Sequence, residues 1–395
     1  MRFKTVICRE GLYYLLVIGF VMFGSILREV NLLMVIAGMM LFPFFFNWRA
    51  AVVSLRRLSV KRQLTHSITA GELLVVNVEV KKRSSRNLFG KKPSWAVKLE
   101  ETIINESMPA TIPPKTLSLL FWRIPVAGSA CLSYSARLYQ RGMYKIGPSR
   151  LSTGFPLGLI RHYRLWRGVE RVVVFPRCGN LTPNWMRLFH EVGSSKTAQL
   201  RSSHQPAGDF HGLRDWRTGD GRRLIHWRST ARRGSPVVRQ FEQQQQLDLN
   251  LLVDLLSDSP PGEGDEEVIE ATISFAATIV THLCHRGNCY LRLAVHGNDA
   301  AHHAGPVHLR QLPQLLTALA TASAPSEDCL RDLLQDDNEP LPAGTPTLIL
   351  SPRQLDPHTL LSQYEADHAC GAVPGAVTCI HTAGAELQNF FEVPM

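Results

Sequence analysis

The sequence predicts an α+β chain of several domains: an N-terminal transmembrane helical hairpin, a β-sandwich-like middle and a C-terminal doubly wound α/β domain. Three observations predict this class. Two uncharged apolar runs follow one another near the N-terminus; alternating apolar and polar positions dominate up to Arg177; and from Leu247 onward apolar strand-length runs alternate with stretches of helical spacing. At 395 residues the chain is longer than one hydrophobic core usually organises. The expected divisions are a hairpin over 1–49, a β-rich domain over 50–180, a linker with a short helix over 181–205, an arginine-rich segment over 206–241 and an α/β domain over 242–395.

The hairpin comes first. Gly11 to Leu27 carries no charge, and after Arg28 and Glu29 a second uncharged run extends from Val30 to Asn47. At about 1.5 Å per residue, each run just spans roughly 30 Å of hydrocarbon. A cleaved signal peptide has one shorter apolar region and a small-residue cleavage site; here the second run follows at once and ends in an aromatic anchor, Phe44 to Trp48. Arg2, Lys4 and Arg9 precede the hairpin, Arg49, Arg56, Arg57, Lys61 and Arg62 follow it, and the turn holds only Arg28 beside Glu29. The positive-inside rule therefore predicts a two-pass protein of the inner membrane with both termini in the cytoplasm.

The body then reads as short strands at Leu73–Lys82, Trp95–Ile103, Ser118–Val126, Ala130–Leu138 and Arg171–Arg177. Ser84 to Ser94 reads as a loop, and Asn184–Val192 as a short helix before a polar linker. Leu247 to Leu256 reads as a central parallel strand, buried on both faces. Helix over Glu266–Gly287, strand over Cys289–Gly297, helix over Leu309–Ser323, strand over Pro346–Ser351, helix over Asp356–Ala369 and strand over Ala376–Gly384 complete an alternating pattern. Ligands of such sheets sit at the carboxyl ends of the strands, where Asp254 and Ser351 would lie.

Pro206 to Phe241 is the most distinctive stretch. It interleaves Asp209, Arg214, Asp215, Arg217, Asp220, Arg222, Arg223 and Arg232 with Gly212, Leu213, Trp216, Gly219, His226 and Trp227, without simple helical or strand periodicity. Arginine suits bidentate pairing with carboxylates, and tryptophan offers apolar area or a face for a guanidinium, so a folded knot of ion pairs and aromatics is expected. The ordered run Gly208 to Gly234, followed by Val237 to Glu242, resembles the signature of the bacterial "domain of unknown function 58" family. Weaker echoes are Tyr139 to His162 and Val172 to Arg177. That resemblance implies a membrane hairpin, a β-rich middle, this signature and a von Willebrand factor A-like domain. It also implies a partner, an AAA ATPase of the MoxR type, and hence an adaptor or accessory role in assembling or activating other complexes.

A metal-binding A-like domain places Asp-x-Ser-x-Ser after its first strand. Here the serine positions hold Leu256 and Asp258, while Ser257 and Ser259 are one out of register, and Ser351, Pro352 and Arg353 follow the third strand. Asp254, Ser257, Asp258 and Ser259 form only a degenerate magnesium site, so a metal-free recognition surface without cofactor is expected. His282, Cys284, His285 and Cys289 lack paired-ligand spacing for zinc, and His302, His303 and His308 read as exposed loop residues. The chain has no nucleophile elbow, no phosphate-cradling glycine loop and no His-Glu-x-x-His, which argues against the familiar hydrolases and nucleotide enzymes. An enzyme of another class using Asp220, Arg222 and His226 is the alternative reading. Eight scattered cysteines indicate reduced thiols. The net charge of +10 concentrates around the hairpin and in the arginine-rich segment, favouring a membrane-proximal protein over a nucleic-acid binder.

Overall fold

The structure is a computed structural model that describes residues 3–83, 93–107, 114–185, 187, 210–217, 220–241, 247–257, 263–287, 289–295, 301–324, 345–360, 377–384 and 386–392. It divides into two compact units, Met1–Pro176 and Arg177–Met395.

In the first unit, strand β1 (Phe3–Ile7) leads into helix α1 (Arg9–Arg28) and helix α2 (Asn31–Leu55). There follow β2 (Leu58–Leu64), β3 (Ser67–Thr69), β4 (Leu73–Lys82), β5 (Ser94–Asn105), β6 (Lys115–Ile124) and β7 (Ser129–Arg137). The last four strands are β8 (Gly142–Ile146), β9 (Ser149–Thr153), β10 (Ile160–Trp166) and β11 (Glu170–Phe175). Strands β2, β4 and β7 form a three-stranded antiparallel sheet, and the others form an eight-stranded sheet in the order β1-β10-β9-β5-β8-β11-β3, with β6 also on β5. One core lies between the two sheets: Leu74, Val76, Val78 and Val80 alternate inward from β4 and meet Val97, Leu99, Ile146, Leu151 and Val172. That alternation is what the period-two pattern of Leu73–Lys82 dictates.

The helices α1 and α2 form an antiparallel pair long and apolar enough to cross a membrane, and most of their large apolar side chains face outward. Tyr14 Oη donates to the Met40 carbonyl at 2.8 Å across the pair. Helix α2 runs past the expected boundary at residue 49 and buries Ala51 and Leu55 in the β unit. The strand before α1 was not legible: β1 pairs antiparallel with β10, Phe3 opposite Arg164 and Ile7 opposite Ile160. Both feet of the hairpin therefore stand on one strand. The Cys8 amide donates to Leu159 O at 3.0 Å, and Asn47, fully buried, donates through Nδ2 to Ile160 O at 3.2 Å while its Oδ1 accepts from the Leu157 amide. Arg164 Nη1 caps the last turn of α2 at Leu55 O, 2.9 Å away.

The unit also buries an ion pair. Arg62 Nε donates to Glu101 Oε1 at 2.7 Å, with both side chains at 2% exposure or less. Arg62 further donates to Gly168 O and Ser149 Oγ, while Glu101 accepts from Ser149 Oγ and from Tyr134 Oη. Burial and the Glu101 charge push the Tyr134 hydroxyl well above its ordinary pKa.

In the second unit, β12 (Asn180–Leu181) precedes β13 (Phe210–Asp215), a 3₁₀ turn (Arg222–Leu224), α3 (Trp227–Arg233), β14 (Val237–Phe241) and β15 (Leu247–Val253). Then come α4 (Glu263–Arg286), β16 (Cys289–Val295), β17 (Ala301–Val307), α5 (Leu312–Thr321), β18 (Thr347–Ser351), β19 (Val377–His381), α6 (Glu386–Phe390) and β20 (Phe391–Glu392). The main sheet has the order β17-β16-β15-β18-β19. Four neighbours are parallel, and β17 is an antiparallel edge. The sheet is thus mixed, and the histidines read as loop residues, His302 and His303, lie on its edge strand opposite Ala294 and Leu293. Helix α4 is apolar enough for a membrane span, but its window is 61% buried, so it is a core helix of this unit.

The expected linker is also corrected at its start. Residues from Arg177 to Trp185 are strapped onto α4 and the C-terminal strand: Ser274 Oγ donates to Arg177 O at 2.5 Å, the Gly179 amide to Thr278 Oγ1 at 3.0 Å, and β12 pairs with β20. Trp185 stacks edge-on to Phe275, whose ring in turn meets Phe391, and all three are buried. Most of the expected helix and linker beyond, and the loop at Ser84, lie outside the described residues.

Candidate functional site

Parallel strands buried on both faces end in a row of exposed carbonyls and side chains, and polar groups collected there define the first candidate. Asp254 follows β15 and is fully buried. Its Oδ1 accepts from the Leu256 amide at 3.1 Å; its Oδ2 accepts from Ser351 Oγ at 3.0 Å and from Arg353 Nε at 2.8 Å. The Arg353 side chain is itself 10% exposed. A guanidinium thus supplies the counter-charge that a buried carboxylate needs. Ser257 Oγ donates to Asp265 Oδ1 at 2.8 Å. Asp258 and Ser259 lie outside the described residues. Thr272 and Thr382 hydroxyls meet at 2.6 Å, and a His381 ring nitrogen lies 2.9 Å from Pro352 O, extending a polar rim along the strand ends.

The arginine-rich segment folds as a hairpin of β13 and β14 with the 3₁₀ turn and α3 inserted between them. Gly212, Leu213, Arg214 and Asp215 lie on β13; Asp209 and Gly219 are outside the described residues. Arg214 grips Asp220 with both Nη atoms, at 2.7 and 2.6 Å, and the Arg217 amide donates to the same carboxylate at 2.8 Å. These bonds, Arg214 first, hold the Asp220 carboxyl at a pKa of about 2. His226 caps α3 by accepting from the Ser229 amide at 3.3 Å, and Gly234, at φ +73°, closes the helix in the left-handed conformation.

A buried knot is not what forms. Trp227 is 68% exposed and Trp216 39%, and Arg222, Arg223 and Arg232 are exposed too. The Trp216 amide ties the hairpin by donating to Pro236 O at 2.9 Å. Asp220 and His226 are each occupied in local capping, so the described geometry does not assemble them with Arg222 into a reacting centre. The buried ion pairs lie elsewhere, at Arg62–Glu101 in the other unit and at Arg353–Asp254 at the strand ends.

One feature was not anticipated from the sequence. Asn250, Arg292 and Thr347 stand side by side across the sheet, all buried, with Asn250 Nδ2 donating to Thr347 Oγ1 at 3.3 Å. Among the described residues, neither Nη atom of Arg292 has a hydrogen-bond partner. His282 and Cys284 lie on α4 and Cys289 on β16; burial raises the Cys284 thiol to about 11 and lowers the His282 pKa. Among the described residues no three His, Cys, Asp or Glu side chains converge as a metal site.

Fold and sites together define a mixed α/β protein with two N-terminal apolar helices, an arginine-rich hairpin and a polar strand-end cluster. The family model described as "Protein of unknown function DUF58" matches residues 212–338, which begin inside that hairpin and take in β15, α4, β16, β17 and α5. The "Uncharacterized protein YeaD" of Bacillus subtilis (strain 168) is 24% identical over 152 residues, 38% of this chain and 37% of that protein. The chain thus matches little more than a third of that relative's length. Among solved structures, the CARDB domain of PF1109 from Pyrococcus furiosus is 18% identical, covering 30% of this chain and 94% of that one, at a TM-score of 0.19. The sporulation control protein Spo0M from Bacillus subtilis covers 41% of this chain and 58% of its own, at 12% identity and a TM-score of 0.18. Scores this low carry no argument about fold or function.

Proposed function

We propose that this chain is a membrane-anchored adaptor. Helices α1 and α2 hold it in the membrane as a two-pass hairpin with both termini on the cytoplasmic face. The α/β unit, read as a von Willebrand A-like domain, presents its strand-end surface to a partner, a MoxR-type AAA ATPase, during assembly or activation of other complexes. The observation that carries this reading is the strand-end cluster: Asp254 is neutralised by the chain's own Arg353 and Ser351 rather than left open. A cluster already satisfied from within suits a rigid recognition surface better than a centre that must exchange ligands or protons. The paired apolar helices supply the anchor, and the basic residues flanking them supply the orientation.

The test is capture of partners from detergent-solubilised membranes with the full chain, with and without ATPase trapped by a non-hydrolysable nucleotide. The expected result is nucleotide-dependent recovery of the ATPase that survives chelation of divalent cations and is lost with Arg353→Glu. Recovery that is equal for the wild-type chain and that variant would overturn the strand-end assignment.

A further inference from the structure

Eight arginines and two aspartates stand between Phe210 and Phe241. Both aspartates are engaged within the segment, Asp220 by Arg214 and Asp215 by Arg233. Arg217, Arg222, Arg223, Arg228, Arg232 and Arg239 have no ion-pair partner among the described residues, and all six are exposed. The excess charge is sorted by the fold. Helix α3 turns Ser229 and Thr230 inward, where the Thr230 hydroxyl accepts from the Val237 amide at 3.0 Å. Its 3.6-residue period then places Arg228, Ala231 and Arg232 on the opposite, outer face with Trp227 at its start. Arg222 and Arg223 project from the adjoining turn.

An indole left 68% exposed amid unpaired guanidinium groups is costly in water and needs an environment with both apolar depth and phosphate. We infer that this outer face docks on the anionic lipid headgroups of the membrane holding the hairpin. Trp227 lies in the headgroup layer, and Arg222, Arg223, Arg228 and Arg232 pair with lipid phosphates. Nucleic-acid phosphate offers the same anion, but two observations favour lipid. The chain carries two helices fit to cross a bilayer, so a tethered unit meets that surface at high effective concentration. Trp227 projects alone from a helix instead of forming the array of aromatic platforms on which successive bases stack.

The inference rests on the membrane-anchor reading, and the experiment separates the two. Full-length protein is reconstituted into nanodiscs of phosphatidylcholine alone or mixed with phosphatidylglycerol, and amide exchange is followed across residues 222–241. Slower exchange in the anionic discs, reversed at high salt, is expected. It should vanish in R228E/R232E, since each arginine near an anionic surface contributes about fivefold to association. Trp227→Ser should likewise reduce protection, while exchange in the main sheet stays unchanged in both variants. Equal exchange in the two lipids, or full protection in the double variant, overturns the inference. Protection by a single-stranded oligonucleotide without protection by phosphatidylglycerol does so too, assigning the face to nucleic acid. Failure to enter discs of either composition overturns the anchor reading and this inference with it.

Discussion

Glu101 accepts from Arg62, Ser149 and Tyr134 at once in a site closed to water, so it is the residue whose loss leaves most uncompensated. Glu101→Gln should lower the stability of the first unit by about 3–5 kcal/mol, measured by denaturant unfolding, because the buried Arg62 cation keeps only a longer contact of 3.9 Å with the half-exposed Glu170. The half-exposed Arg214–Asp220 pair behaves otherwise. Its carboxyl has a folded pKa near 2, against 3.8 without partners. The stability it contributes is therefore fully present above about pH 4 and is lost as pH falls through the folded value. Protection factors of the β13 and β14 amides, which correct for the pH dependence of intrinsic exchange, should hold at pH 4 and fall between pH 3.8 and 2, a step that Asp220→Asn removes. At the strand ends, Arg353→Ala leaves Asp254 buried without its counter-charge and should lower the melting temperature, whereas adding magnesium to the wild-type chain should leave it unchanged. A stoichiometric magnesium site lost with Asp254→Ala would contradict this.

Elements with strong periodicity were the legible ones. Leu73–Lys82 alternates so regularly that the strand lies where the pattern puts it, and the stretch Leu249 to Val253, apolar but for Asn250, is buried on both faces. Strand β17 was hidden because Ala301–Val307 holds two histidines, a glycine and a proline, which read as loop. An edge strand tolerates Pro306 since one side of its backbone needs no partner, and the sheet's remaining order depends on β15 and β18. Strand β1 was hidden because the apolar run beside it dominates. Its existence needs β10, more than a hundred and fifty residues away in the register Phe3 to Arg164, and no local pattern announces that partner. For the site, the out-of-register serines and Arg353 could be noticed in the sequence, but the contact of Arg353 with Asp254 depends on β15 and β18 being neighbours. The burial of Arg62 and the exposure of Trp227 are tertiary facts with no sequence signal. At this scale Asn47 is the test of how α2 is seated: Asn47→Leu strips partners from the Leu157 amide and the Ile160 carbonyl, and should cost about 1–3 kcal/mol for each buried group left unpaired. Detergent-solubilised protein would show it as a lower melting temperature.

Across the whole molecule, the anchor reading predicts retention of the full chain in membranes through carbonate and high-salt washes. Cutting at Asn47 is a poor control, because it removes β1 and part of α2 together with the span. A better one replaces residues 9–46 with a short Gly-Ser linker, keeping Cys8, whose amide donates to the Leu159 carbonyl, and Asn47, whose side chain donates to the adjacent Ile160 carbonyl. That protein should be soluble and folded; if it remains with membranes as folded protein, the anchor lies elsewhere. The same geometry orders events during synthesis. Strand β1 leaves the ribosome before either helix, yet its hydrogen-bonding mate β10 is made only after both helices and eight further strands' worth of chain have emerged. On the proposed anchor reading, the hairpin enters the bilayer while its own footing does not yet exist, and β1 waits at the membrane surface as a single unpaired strand. Closing β1 onto β10 is then the late step that turns a loosely inserted nascent chain into a fixed one, so a defect in that pairing would first appear as failed maturation at the membrane, ahead of any loss of the finished fold.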